Sequence, residues 1–245
     1  MDVAELSGWP QTYRNLPIFT KKDTLFAPHK FVVRGQTLWL SPARCIYWEE
    51  ENALILSDLH FGKSGHFRKE GIGIPQNIFK EDLQRLFTQI QFFSPKKVLI
   101  AGDMFHSRAN KEIDLFTRWR NDIAAIEIHL IKGNHDILAD HHYQTAGITI
   151  IPQKLLLQNF CFTHDYGAAG TSDTSESFTF SGHLHPGIKV NGSGRQSIML
   201  ACFYFSDTYA VLPAFSLFTG LYKIRPSKKD TVFALIENRV VKLSN

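Results

Sequence analysis

Ala53-Leu-Ile-Leu-Ser-Asp-Leu-His60 is an apolar run that stops on a carboxylate and an imidazole. Four more stretches have the same form: Val98-Leu-Ile-Ala-Gly-Asp103, Ile128-His-Leu-Ile-Lys-Gly-Asn-His-Asp136, Phe160-Cys-Phe-Thr-His-Asp165 and Phe178-Thr-Phe-Ser-Gly-His-Leu-His185. Each run has the length of a strand and is rich in branched or aromatic residues. Open α/β sheets bind ligands beyond the carboxyl ends of their strands, so five such endings predict one convergent polar site.

Outward from these stretches, further strand-like runs lie at Ile148 to Ile151, Ile198 to Phe203 and Val232 to Ile236. Phe79, Leu83, Leu86, Phe87 and Ile90 share one face at helical spacing. A second helix is expected over Lys111 to Ile123, with Ile113, Phe116, Trp119 and Ile123 inward. The first half therefore alternates strand and helix, as parallel βαβ units do. From about Thr149 the pattern is strand and turn, with hairpin-like breaks at Asn191-Gly-Ser-Gly194 and around Ser206-Asp207. Two sheets face to face with helices outside accommodate both halves. Asp165 to Glu176 reads as an exposed loop. No repeat, low-complexity segment or Pro- or Gly-rich linker divides the chain, so residues 1–245 are expected to form a single domain.

Composition narrows the classes. A chain of 245 residues, 44% hydrophobic and 20% charged, is neither disordered nor collagenous. A formal charge of +4 permits an anionic substrate but is not the basic excess of a protein held by charge to duplex DNA. Cys45, Cys161 and Cys202 are odd in number and form no C-x-x-C pair, so neither a disulfide framework nor a zinc ribbon is expected. Cys161 and Cys202 read as small buried hydrophobes. Met1 to Pro10 lacks the form of a signal peptide, and Ile198 to Phe205, the longest apolar run, is far short of a membrane helix. A cytoplasmic protein with no membrane partner is expected.

The donor set points to metal chemistry. Asp58, His60, Asp103, Asn134, His164, His183 and His185 offer oxygen and nitrogen donors without thiolates, which suits Mn, Fe or Zn. Seven ligands are too many for one four-coordinate ion and suit two ions sharing a carboxylate, an arrangement that serves phosphoryl displacement. Taken singly these motifs are ordinary. A lone strand His is more often a hydrogen-bonded structural residue, and Gly-Asn-His-Asp can be a simple tight turn. Gly-His-x-His says more, because alternate residues project to one face of an extended chain, and five such endings in order leave little room for coincidence.

Asp58-x-His60, Gly102-Asp103, Gly133-Asn-His-Asp136, His164 and Gly182-His-x-His185 resemble the five motifs of the calcineurin-like metallophosphoesterases. The resemblance implies a four-layered αββα sandwich of two mixed sheets. It implies that Asp58, His60 and His185 bind one metal, that Asn134, His164 and His183 bind the other, and that Asp103 bridges them. His135 would touch the substrate and stabilise or protonate the leaving oxygen, while a metal-bridging hydroxide attacks phosphorus in line. Family phosphatases often carry Gly-Asp-x-x-Asp, but here the last position is His106. Gly-Asp-x-Phe-His followed by Gly-Asn-His-Asp is similar to the double-strand-break repair nucleases of the superfamily, in which two His residues work as a pair. A simple helix cap is the structural alternative for His106. His164 is followed by Asp165 where the family has Gly, which puts the local turn in question.

Asp58-Leu-His-Phe-Gly-Lys-Ser-Gly-His-Phe-Arg-Lys-Glu-Gly71, with Ile74-Pro75, Gly102-Asp-Met-Phe-His-Ser107, Leu212-Pro-Ala-Phe215 and Phe218-Thr-Gly220, resembles the bacterial DNA-ligase-associated metallophosphoesterases. That resemblance implies a manganese-dependent DNA endonuclease acting on single strands in repair, with a ligase, helicase or other nuclease as possible partners. Lys63, His66 and Arg68 follow the first ligands closely and could hold non-scissile phosphates, with Lys69 beside them. A solvated charged turn is the competing account. Phe61 and Phe67 could stack on bases but suit core packing better, and His141-His142 suits the surface better than a third metal site. The alternatives are a phosphodiesterase of cyclic or dinucleotide substrates and a non-catalytic protein-binding scaffold of the same fold. Filled ligand positions and the presence of His135 weigh against the scaffold.

Overall fold

Along Ala53–Leu56 (β4) the side chains alternate between two apolar layers: Leu54 and Leu56 face one cluster, Ala53 and Ile55 the other, and all four are fully buried. Lys97–Ala101 (β5) repeats this, with Val98 and Ile100 on one side and Leu99 and Ala101 on the other. Strands buried on both faces read as continuous apolar runs, which is the pattern of the sequence here. The computed structural model describes residues 27–63, 78–106, 111–167, 177–192 and 196–243.

The first sheet has seven strands in chain order: His29–Val33 (β1), Gln36–Ser41 (β2), Cys45–Trp48 (β3), β4, β5, Glu127–Ile131 (β6) and Ile148–Ile151 (β7). The pairs from β1 to β4 are antiparallel and those from β4 to β7 parallel. Ile78–Phe93 (α1) crosses from β4 to β5. Lys111–Arg120 (α2), continued by a 3-10 turn at Asn121–Ile123, crosses from β5 to β6. Phe79, Leu86, Phe87 and Ile90 of α1 are buried as their spacing requires, as are Ile113, Phe116, Trp119 and Ile123. The short helix Asp140–Thr145 (α3) precedes β7.

The second sheet holds Lys154–Leu157 (β8), Phe160–Thr163 (β9), Phe178–Ser181 (β10), Pro186–Asn191 (β11), Ser197–Phe205 (β12), Tyr209–Val211 (β13), Tyr222–Lys223 (β14), Thr231–Ile236 (β15) and Arg239–Leu243 (β16). β9, β10 and β13 run parallel to one another, while most of the other pairs are antiparallel. The expected mixed sheets are therefore present, and the described helices pack on the first sheet. The expected break at Ser206-Asp207 is the turn between β12 and β13, where Ser206 N–H donates to the Tyr209 carbonyl at 2.8 Å. At the other break the ends of β11 and β12 pair antiparallel, and residues 193–195 between them lie outside the described residues. So do residues 168–176 of the expected loop.

The opening strands β1 to β3 add an antiparallel half to the first sheet that the run of polar strand endings does not announce. Their signal is the alternation of Leu38 and Leu40, both fully buried, with half-exposed Thr37 and Trp39. Between the sheets lies an aromatic layer. Trp48 meets Phe160 at 4.7 Å between ring centroids, and Phe162 stacks on Phe180 at 5.5 Å and 14°. All three cysteines are free and buried. Among the described residues, no helix is long and apolar enough to cross a membrane. Phe160→Ala empties a fully buried position of this layer and is predicted to cost about 3–5 kcal/mol. Urea unfolding should show the midpoint falling at unchanged slope, and a loss under 1 kcal/mol would mean the layer closes over the gap.

Candidate metal centre

The endings of β4 and β5 stay paired beyond the strands. Asp58 N–H donates to the Gly102 carbonyl at 3.0 Å, His60 N–H to Asp103 at 2.9 Å and Phe61 N–H to Met104 at 2.9 Å. On the second sheet, Gly182 N–H donates to the His164 carbonyl at 3.0 Å. These turns are tight. Asp58, His60, Asp103, His183 and His185 all adopt left-handed φ values between 49° and 67°. For non-glycine residues such backbone costs about 1–3 kcal/mol each and gathers at functional sites. Gly102, at φ 84°, lies where a Cβ would collide with the His164 imidazole, so a glycine is required there.

The side chains fall into two groups. Asp58, His60 and His185 place their ligand atoms within 4.8 Å of one another, and so do Asp103, His164 and His183. In the first group, His185 Nε2 is 3.3 Å from Asp58 Oδ1 and 3.4 Å from His60 Nε2. In the second, His164 Nε2 is 3.4 Å from Asp103 Oδ2 and 3.1 Å from His183 Nδ1. Asn134 Oδ1 reaches His164 Nε2 at 3.0 Å and so joins the second group. Asp103 Oδ2 is also 4.0 Å from His60 Nε2, which places one carboxylate oxygen between the groups. His164 Nδ1 lies 3.1 Å from the Ala101 carbonyl. That bond takes the Nδ1 proton and leaves Nε2 free as a donor to a metal, the support metal-binding imidazoles usually have.

The charges of this cluster are frustrated without a cation. Burial holds the His60 imidazole down to about 3, outweighing the pull of Asp58 and Asp103. Burial opposes charging of His164 too, but its hydrogen bond to Asp103 and the charge of that carboxylate raise it to about 9. Burial would raise Asp103, yet the same contact with His164 and the His135 N–H hold it at about 2. His164 is hydrogen-bonded to Asp103 and His60 stands 4.0 Å away, which accounts for their opposite shifts. Two buried carboxylates gathered with imidazole nitrogens and an amide oxygen match the needs of divalent cations, so the donor set fits a metal pair.

A carboxylate that sequence reasoning gave no role holds the site together. Asp136 is buried and accepts the N–H of Asp103 at 2.8 Å, Met104 at 2.9 Å, Phe105 at 3.2 Å and Gly133 at 2.9 Å, with the Tyr143 hydroxyl at 3.4 Å. Burial raises its carboxyl to about 6, against these backbone donors. Its place directly after Gly-Asn-His was the one available signal; three of its partners come from a loop 31 to 33 residues away and leave no mark in sequence.

The other expected site residues divide. His106 and His135 come together, with ring centroids 4.4 Å apart and each 5.5 Å from the His60 ring. His135 N–H donates to Asp103 Oδ1 at 2.9 Å. Lys63 is half-buried beside His60, its pKa lowered by burial against the pull of Asp103 and Asp58. His66 and Arg68 lie outside the described residues, as do Phe67 and Lys69. Phe61 is a core residue at 1% exposure. His141 is exposed and lies against the His142 ring, apart from either metal-competent group.

Residues 52–216 match the calcineurin-like phosphoesterase family. The match spans most of the chain and includes both ligand groups, and the chain belongs to that family, whose members are metal-dependent hydrolases of phosphoesters. In particular, the structure is similar to the crystal structure of Pseudomonas putida nuclease MPE, with 26% sequence identity, coverage of 88% of this chain and 100% of the other, and a TM-score of 0.74. Among curated proteins, none matches the chain.

Asp136→Ala strips buried N–H groups of both loops of their acceptor. At about 1–3 kcal/mol per unsatisfied donor, a loss of roughly 3 kcal/mol or more is expected, together with reduced metal content by mass spectrometry. Unchanged stability would show that the two loops hold their shape without it.

Proposed function

We propose that this chain is a two-metal-dependent phosphodiesterase that cleaves DNA, acting as a single-strand endonuclease in repair. The observation that carries the proposal is the His106–His135 pair, in tilted contact at 4.4 Å between centroids beside the first ligand group. A phosphatase of this family would often place a carboxylate where His106 stands; an imidazole pair suits a diester, whose leaving oxygen belongs to a sugar and needs a proton. The similarity to a nuclease supports the same reading.

Asp58, His60 and His185 would hold one ion, Asn134, His164 and His183 the other, and Asp103 both. Manganese suits this oxygen and nitrogen set, with iron or zinc next. Bound there, the pair supplies positive charge for the phosphate oxygens and lowers the pKa of water. The chain's own residues do the rest. His135 is fixed by its N–H bond to Asp103 Oδ1, so its half-exposed ring is held at the mouth of the site, where it can donate a proton to the departing oxygen. His106 packs on that ring and restricts its orientation. Lys63, and on the same reading His66 and Arg68, would hold neighbouring phosphates of the strand. The repair setting, with a ligase, helicase or second nuclease as partner, and the cytoplasmic location belong to the same proposal and are supported by the ligase-associated motifs.

The test is cleavage of circular single-stranded DNA with Mn. Linear products are expected from the wild type, and His135→Ala should lower the rate roughly 100- to 10,000-fold while keeping both ions. Asp103→Ala should lose both ions. Intact circles, with a small synthetic diester still hydrolysed, would move the substrate away from DNA; a fully active His135→Ala protein would remove the role given to that ring.

A further inference from the structure

His60 is 4% exposed, and its two ring nitrogens have different surroundings. Nε2 faces the ligand group, 3.4 Å from His185 Nε2. Nδ1 is buried and has no hydrogen-bond partner among the described residues. When Nε2 is the metal donor, Nδ1 carries the proton and needs an acceptor; metal-binding imidazoles almost always have one. His164 meets this need through the Ala101 carbonyl. Among the described residues, no carbonyl serves His60 Nδ1 in this way.

Beside the His60 ring lies a small cavity lined by His60, Lys63, Phe79, Asp82, Ser216 and Phe218, with room for about one water molecule. Asp82, from the first turns of α1, is 2% exposed. It accepts hydrogen bonds from the Ser216 hydroxyl and the Leu217 N–H. Its Oδ1 is paired with Arg85 Nη2 at 2.9 Å, and a carboxylate oxygen so paired keeps a further lone pair for a second donor. A buried donor without a partner and a buried carboxylate with acceptor capacity to spare thus belong to residues lining the same cavity. Lys63 is a donor only and cannot serve Nδ1–H. The Ser216 hydroxyl is committed to Asp82 and to the Phe218 N–H at 3.2 Å.

We infer that one buried water fills this cavity, accepting from His60 Nδ1–H and donating to Asp82 Oδ1, which makes Asp82 a positioning residue for His60. Asp82 then fixes the ring's tautomer and direction through the water, and the bond to Oδ1 offsets part of the cost of burying the carboxylate. The water has polar partners on both sides, as a retained interior water requires. This inference rests on the reading of His60 as a metal ligand only for its consequence; the water bridge itself is a property of the fold.

Imidazole 1H–15N NMR tests the bridge in both the metal-free and the zinc-loaded protein. His60 is expected as the Nδ1–H tautomer, with a proton protected from exchange. Asp82→Leu should lose that protection, and Asp82→Asn, which keeps an oxygen acceptor in the same volume, should retain it. Chelator competition should show one of the two ions bound roughly 10- to 100-fold more weakly in Asp82→Leu, with the other little changed and Asp82→Asn near wild type. A purely structural role for Asp82 would shift the melting temperature without moving the His60 resonances. A wild-type His60 found as the Nε2–H tautomer in both forms, or a His60 signal identical in wild type and Asp82→Leu, would overturn the proposal. A wild-type protein that binds no ions would instead defeat the metal reading while the tautomer still decides the bridge.

Discussion

The four backbone N–H groups gathered on the Asp136 carboxylate are the constraint on which the rest of the centre depends. They join the loop after β5 to the loop after β6, two segments that share no backbone pairing of their own beyond the strands. With the loops joined, Asp103 has one oxygen bound to the His135 N–H and the other turned toward His60 and His164. A shorter or absent side chain at Asp136 would leave three of those donors pointing into a dry interior, and the cheapest escape would be to reopen the turn that aims Asp103.

Left-handed backbone at five ligand positions follows from the same geometry. Parallel strands deliver their endings side by side, and a chain leaving such a strand in extended form would carry its next side chains away from the neighbouring ending. A left-handed residue turns it back at once. The cost is offset by the pairing of Asp58, His60 and Phe61 with the 102–104 segment. Strain and charge are two sides of one arrangement: the conformation that gathers these carboxylates and imidazoles is costly by itself, and a bound cation would offset that cost.

The sequence made the strand endings legible because two-sided burial leaves an uninterrupted apolar run, and the polar residue that stops it stands out. Helix α2 was legible from Ile113, Phe116, Trp119 and Ile123 alone. β1 to β3 were less so, since half-exposed antiparallel strands such as Gln36–Ser41 mix polar and apolar residues without a functional group at the end. The division of ligands between two ions came from family resemblance; spacing along the chain says nothing of it, because His60 and His185 are neighbours across 125 residues. The left-handed φ values of the Asp and His residues had no signature either, for among these turns only the glycines Gly62 and Gly102 advertise their conformation. Apart from the i,i+3 pair of Asp82 with Arg85, the partners of Asp136 and Asp82 are largely backbone groups and distant side chains, which no residue pattern encodes.

The Leu212-Pro-Ala-Phe215 segment, conspicuous in sequence yet without any ligand, has a physical task. Phe215 N–H donates to the Ser57 carbonyl at 2.8 Å and Ser216 N–H to the Asp58 carbonyl at 3.1 Å, so the segment pairs with the first ligand loop through carbonyls, while Asp58 and His60 turn their N–H groups to the 102–104 segment. Arg44 in turn donates to the Ala214 carbonyl at 3.2 Å and the Ser216 carbonyl at 3.0 Å, and Arg85 donates to Phe215 while lying over its ring at 4.4 Å. Asp82 pairs with Arg85 and holds Ser216. Asp58 and His60 are therefore fixed between two segments, one following β5 in the parallel half of the first sheet and one following β13 of the second. Neither sheet alone can build the site, which gives a physical reason for ligands on both halves of the chain to act as one centre.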